Sequence, residues 1–281
     1  MKFNPNELIL EKIRAVEEYD PSTNELTGRY TQIEEPSLKT SAEATEVTDA
    51  MGASIYTIYK AQKGTFDFTN SLFSLDLAAS QYGSEKKTAA GDEPLTVPVS
   101  EILTINSDNT VELSYVPVGL KGAEVEYVNV INSDNTFGEK YEVGAEVTEA
   151  SETSEAGEEG ATKKTPTFTI DAENRKITLP KSATGRVFVS YEKESTNAVQ
   201  VTKTTEGVPK VKTLLIHAIF HNVCDTNEVY AGVIRCPRAQ IDPSSTELSL
   251  KSDGKHAASY ILQKDYCSGD DKLFDIIVSK D

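Results

Sequence analysis

The run Val211-Lys212-Thr213-Leu214-Leu215-Ile216-His217-Ala218-Ile219-Phe220-His221-Asn222-Val223 has the texture of a β-strand, and it carries apolar residues on both faces. Because side chains alternate across an extended chain, Leu214, Ile216, Ala218 and Phe220 share one face. Leu215 and Ile219 stand among His217 and His221 on the other. A strand of a monomeric sandwich usually leaves one side wet. The pattern therefore predicts a central strand, or one whose second face is covered by a neighbouring subunit or by a helix of the same chain. It marks Leu215, His217, Ile219 and His221 as oligomer-interface candidates.

Downstream of this run, strand texture recurs at Glu228–Arg235, Glu247–Leu250, Ala258–Leu262 and Lys272–Val278, with turns at Asp253-Gly254 and Ser268-Gly269-Asp270. Near the other end of the chain, Ile55–Lys60 is rich in β-branched and aromatic residues, and Thr65–Phe68 alternates after Lys63-Gly64, which predicts a hairpin. Thr69, Asn70 and Ser71 then offer N-cap chemistry, and Leu72, Leu75, Ala79 and Tyr82 recur at helical spacing. Gly83 is a natural stop. A helix over Ser71–Tyr82 is expected, packed on a sheet, with Phe73 and Leu77 widening its apolar stripe.

The middle of the chain differs. Ile105-Asn106-Ser107-Asp108-Asn109-Thr110 and Ile131-Asn132-Ser133-Asp134-Asn135-Thr136 are the same hexapeptide twice. Their oxygens would suit a hard cation, but neither copy has the glycine and distal glutamate of an EF-hand loop, so a pair of β-turns is the better reading. From Glu139 to Gly160 there are eight glutamates and one lysine, a balance of −7 within the chain's −17. That segment, near 146–165, is expected to be a mobile solvated loop. Strand texture resumes at Thr167–Asp171, Arg175–Pro180 and Arg186–Tyr191, as in a small β-sandwich. The chain thus reads as residues 1–92 and 207–281 building one β-domain, with 93–206 inserted.

Chemistry is hard to place. His217, His221, Cys224 and Cys236 invite a zinc reading, but the spacing fits no finger or ribbon, and positions 217 and 221 of a strand lie about 13 Å apart. No nucleophile elbow, P-loop or dinucleotide fingerprint occurs. The sequence therefore predicts no catalytic residues, no cofactor and no enzyme. Three cysteines form no disulfide framework and fit reduced thiols. The polar start and the short run Leu8-Ile9-Leu10, closed by Glu11 and Lys12, give no signal peptide, and no apolar stretch approaches the roughly 20 residues of a membrane span. With 45 acidic against 28 basic residues, the chain is poorly suited to gripping phosphates.

Val47-Thr48-Asp49-Ala50-Met51-Gly52, the strands that follow it, and Thr69–Leu75 through Gly83-Ser84-Glu85-Lys86 resemble the amino-terminal half of tail tube proteins of tailed bacteriophages. Gly232–Ala239, Leu248–Gly254, Asp265-Tyr266-Cys267 and Lys272–Ile276 resemble that family's closing strands. The resemblance implies a mainly β, tail-tube-type sandwich with one flanking α-helix, and residues 93–206 would be an immunoglobulin-like insertion. It also implies hexameric rings of the chain stacked into a tube in the virion tail, assembled in the host cytoplasm. Partners would be other copies, sheath, terminator or baseplate proteins, and DNA that passes through the lumen without tight binding. A different virion or surface module that binds a host ligand is the competing expectation.

Overall fold

A computed structural model describes residues 6–149, 151–152, 163–223, 228–244, 248, 254–266 and 268–280. The protein is mainly β, with several sheets; among the described residues there are twenty-one strands and one helix. In chain order these are β1 (Leu8–Tyr19), β2 (Leu26–Tyr30), β3 (Ile33–Ser41), β4 (Ala44–Thr48), β5 (Ser54–Tyr59), β6 (Lys63–Asn70), α1 (Leu75–Tyr82), β7 (Lys87–Thr88), β8 (Leu95–Thr104), β9 (Thr110–Glu112), β10 (Tyr127–Ile131), β11 (Phe137–Val143), β12 (Ser151–Glu152), β13 (Lys163–Lys164), β14 (Thr167–Asp171), β15 (Lys176–Thr178), β16 (Arg186–Ser195), β17 (Val199–Gln200), β18 (Val211–Asn222), β19 (Val229–Ile241), β20 (His256–Leu262) and β21 (Asp275–Ser279). They form two compact units, Met1–Lys86 with Val201–Asp281, and Lys87–Gln200.

The first unit is built on β18, which pairs with β1 from Leu8↔Asn222 to Tyr19↔Thr213 and with β19 from Val211↔Gln240 to His221↔Val229. The sheet order is β2-β1-β18-β19-β20-β6-β3, with β21 also on β19. Val16, Tyr30, Phe66, Phe68, Leu214, Ile216, Cys236 and Tyr260 share one core. Tyr30 near one edge of the sheet and Phe68 near the other have ring centroids 5.8 Å apart, so the sheet curls over on itself. Burial pushes the Cys236 thiol up to about 12, which leaves it inert.

Several local expectations shift. Ile55–Lys60 does not pair with Thr65–Phe68: β5 pairs with β4, while β6 pairs with β3 and β20. The strand expected to end at Arg235 continues through Pro237 to Ile241. A proline fits there because the β18 ladder skips Pro237 at a bulge, and the other edge passes from β21 at Arg235 to β20 at Ala239. The strand at Ala258–Leu262 starts two residues earlier, and that at Lys272–Val278 begins at Asp275. Of Glu247–Leu250 only Leu248 is described, bridging His256.

The helix is shorter than expected. Residues to Asn70 belong to β6, Ser74 is the N-cap, its Oγ accepting from the Leu77 amide at 3.3 Å, and Gly83 closes the helix at φ 66°. Leu77, Ala78, Ala79 and Gln81 are buried, whereas Leu72, Phe73 and Leu75 are exposed. Gln81 binds inward, accepting at Oε1 from the His256 ring at 2.7 Å and donating to the Ala257 carbonyl at 2.7 Å.

The second unit is a seven-stranded sheet in the order β8-β16-β10-β11-β14-β15-β9, with Val111, Val128, Tyr141, Phe168, Ile177, Val187 and Val189 in its core. The repeated hexapeptide makes the same turn twice. Asn109 and Asn135 are left-handed at φ 59° and 64°, and Thr110 and Thr136 hydroxyls donate to Asp108 and Asp134 at 2.7 and 2.6 Å. Much of the acidic segment near 146–165 lies outside the described residues.

Glu18 is fully buried in the first unit. Ser80 of α1 donates to its Oε2 at 2.6 Å, and the Tyr260 hydroxyl of β20 donates to Oε1. Gly28 makes room, since a Cβ there would stand 2.4 Å from the Tyr30 hydroxyl and 3.2 Å from Glu18 Oε2. Desolvation raises the Glu18 pKa, against smaller lowering effects of Ser80, Tyr260 and Lys212.

A raised carboxyl contributes its stability below the unfolded value and loses it as pH rises through the folded value. Glu18→Gln keeps the shape without the charge. Its Tm is expected to match the wild type near pH 4.5 and to exceed it increasingly as pH rises above that value. Calorimetry across that range checks this, and a variant less stable at every pH would refute it. A second prediction follows from Lys87↔Gln200 and Thr88↔Val199, which set the ends of the second unit side by side. Replacing 87–200 by a short Gly/Ser linker should leave a soluble first unit that unfolds in one cooperative transition by circular dichroism.

Candidate assembly surface

β18 separates its two sides by period. Leu214, Ile216 and Ala218 are buried, while Leu215, His217, Ile219 and His221 face the other way and are half-buried. α1 packs on the inner side, where Leu77 joins Val16, Leu214 and Ile216, so the helix does not cover Leu215 and Ile219. The structure thus brings all four sequence candidates onto one outer face, where the ladder adds neighbours that the sequence did not announce. Val229, Ala231, Val233 and Arg235 of β19 lie opposite His221, Ile219, His217 and Leu215, and Ile277 of β21 lies opposite Val233. Val229 and Ile277 are more than half exposed, at 57% and 53%.

β1 supplies the polar part. Its alternation breaks at two bulges, between Leu10 and Lys12 and between Ile13 and Ala15. Past them, Glu17 turns outward and Glu18 inward. Glu17 accepts from Tyr19 at 2.8 Å and from Arg29 at 3.0 Å, and His217 Nε2 lies 3.0 Å from its Oε2. Partial burial alone would push the Glu17 carboxyl up, but the hydrogen bonds of Tyr19, His217 and Arg29 together hold it below its ordinary value. His221 Nε2 lies 2.6 Å from Glu11 Oε2, and this bond, with Lys12, lowers the Glu11 pKa. Each histidine is thus engaged by a separate carboxylate of β1. Among the described residues no group of three or more His, Cys, Asp or Glu is placed to hold a metal ion.

Arg14, Ala15, Glu17, Arg29, His217, Ile219, Ala231 and Val233 line a shallow groove along this face. Its cations and aliphatic side chains come from four strands, and only the part on β18 was legible as a pattern. Arg14 sits at the second bulge, where a period-two reading fails, and no sequence signal assigned it a face.

A second exposed surface is the β4–β5 hairpin, which among the described residues pairs with no other strand. Every residue of both strands except Thr57 is exposed, including Val47, Ile55, Tyr56, Ile58 and Tyr59, and Met51 at the turn is 93% exposed. The Asp49 carboxylate shapes that turn, accepting from the Met51 and Ala53 amides at 2.9 and 2.8 Å, with Gly52 at φ 84°. Among the described residues no helix is long and apolar enough to cross a membrane. No family model matches this chain, and a search of curated proteins finds no match.

The two faces of β18 predict different responses to one kind of substitution. Ile216→Asp would bury a carboxylate in the core, at a cost of about 3–5 kcal/mol, and should abolish folding. Ile219→Asp keeps its charge near water, costs about 1 kcal/mol, and should leave the fold intact by circular dichroism with Tm lowered by a few degrees.

Proposed function

We propose that this chain is a structural subunit whose copies close into rings that stack into a hollow tube of the phage tail type, through which a genome passes. In this reading the chain carries out no catalysis and needs no cofactor. The observation that carries it is that the first unit presents two unpartnered apolar surfaces, the β4–β5 hairpin and the outer face of β18 and β19. An isolated two-stranded hairpin is marginal in water, and exposed apolar surfaces of this kind mark protein–protein contacts.

Net charge supports the same reading. A conduit for DNA must let phosphates pass without binding them, and a −17 chain repels them. The resemblance of the first and last blocks of sequence to tail tube proteins supplies the ring and tube geometry. The second unit would then be an addition to the tube-forming one, and sheath, terminator or baseplate proteins would be its neighbours in a virion.

Negative-stain electron microscopy and sedimentation velocity of the purified chain test this. Rings or tubes of uniform diameter are expected, with the sedimentation coefficient rising with concentration. A single species at the 30.7 kDa of one chain, at every concentration reached, would overturn it.

A further inference from the structure

We propose that His256 is an acid-sensitive latch, protonation of its ring releasing the connection 71–74 and helix α1 from β20 while the β1–β18–β19 ladder stays closed. The latch lies within one copy and works whether or not copies assemble.

His256 opens β20 and is fully buried. Its Nε2 lies 2.7 Å from Gln81 Oε1. The same amide donates through its nitrogen to the Ala257 carbonyl at 2.7 Å, and a carbonyl can only accept, so Gln81 must present its oxygen to the ring. The ring therefore carries its single proton on Nε2. Nδ1 is left bare and has no hydrogen-bond partner among the described residues. A second proton there would strand a donor and a charge away from water. Burial accordingly holds the His256 pKa below its ordinary value.

The surroundings offer that charge no compensation. Asn70 of β6 lies opposite His256 in the ladder, Gln81 of α1 and Phe73 of the connection touch its ring, and Leu248 bridges it; none of these titrates. Charges on the same elements are engaged elsewhere. Lys63 and Asp67 of β6 bind Glu43 and Lys39, Asp76 of α1 binds Lys86, and Lys255 binds Glu34 of β3. Glu18, also buried beneath α1, is engaged by Ser80 and Tyr260. Its raised carboxyl takes up a proton favourably as pH falls, so loosening in acid cannot come from it.

Phe73 is the cover most easily moved. It stacks on the His256 ring with centroids 5.5 Å apart and planes 18° from parallel, yet is itself 54% exposed. The connection 71–74 belongs to no helix or strand, and Leu72 beside Phe73 is exposed as well. Lifting this segment therefore gives up little burial, and such segments open before a ladder paired on both edges does.

A lowered imidazole contributes stability above its ordinary value, about 6.5, and loses it as pH falls through the folded value. An opening that takes up one proton becomes about tenfold more frequent per pH unit over that window. Hydrogen exchange of the wild type between about pH 7.5 and about pH 5, read as protection factors, should show this loss in peptides covering 70–83 and not in β1, β18 or β19. His256→Gln keeps an amide donor for Gln81 and takes up no proton, so it should abolish the pH dependence. His217→Gln with His221→Gln should leave it in place. Imidazole nitrogen NMR of the wild type checks the latch without a variant: the ring should be the Nε2–H tautomer at neutral pH and should protonate where protection is lost.

Protection at 70–83 that is unchanged by pH, or lost equally throughout the first unit, would overturn the latch. An Nδ1–H tautomer at neutral pH, a ring that protonates while protection persists, or folded His256→Gln protein with the wild-type pH dependence would do the same. Loss of the pH dependence in the His217 and His221 variant would move the switch to the outer face and refute the assignment to His256.

Discussion

The antiparallel ladder between β1 and β18 is the constraint on which the rest of the first unit depends, because it joins segments about two hundred residues apart. Closing so long a loop costs entropy that only an extended set of backbone hydrogen bonds and a shared core can offset. β18 receives it from both sides along nearly its whole length, with β1 on one edge and β19 on the other. Once β18 is central, period-two alternation divides the unit. One side turns toward Leu77, Phe68 and Tyr260, and the other is left to Leu215, His217, Ile219 and His221. The chain between the two strands can leave and return because β7 and β17 pair where the second unit begins and ends.

Adjacent residues of β1 make the division hard to undo. Glu17 lies outside with Arg29, Tyr19 and His217, and Glu18 lies inside with Ser80 and Tyr260. A slip of one residue would exchange them, bringing Glu17 inward away from its cation and exposing Val16. The bulges of β1 fix this register. Prolines follow the same logic, since Pro237 stands where β19 changes partners and Pro98 lies on β8, an edge strand that needs no second donor.

Two surfaces of the first unit stay uncovered by the rest of the described chain. Sheets that curl satisfy most of their own edges, whereas the β4–β5 hairpin pairs with no other described strand and leaves apolar residues exposed. The outer face of β18 differs in kind, because its apolar residues are interleaved with ion pairs that keep it hydrated in a free chain. A surface of that composition can stay soluble alone and still be covered by a neighbour.

Local chemistry by itself determined much of this protein. The two-faced pattern at 211–223, the stop at Gly83, the paired turns at Asn106–Thr110 and Asn132–Thr136 and the dominance of strands all follow from periodicity, left-handed glycine and Asx turns, which need only near neighbours in sequence. Tertiary structure alone decided which strands pair. Leu8–Tyr19 was hidden because its bulges break the alternation, and Ile55–Tyr59 turned back to Ala44–Thr48 when sequence proximity favoured Thr65–Phe68. The outer face could not be read at all as a unit. Arg14, Arg29, Leu215, Arg235 and Ile277 come from five strands, and only a ladder with a fixed register brings them to one side. Periodicity is a property of a segment, whereas the composition of a sheet face is a sum over segments whose pairing is settled by the core they bury together.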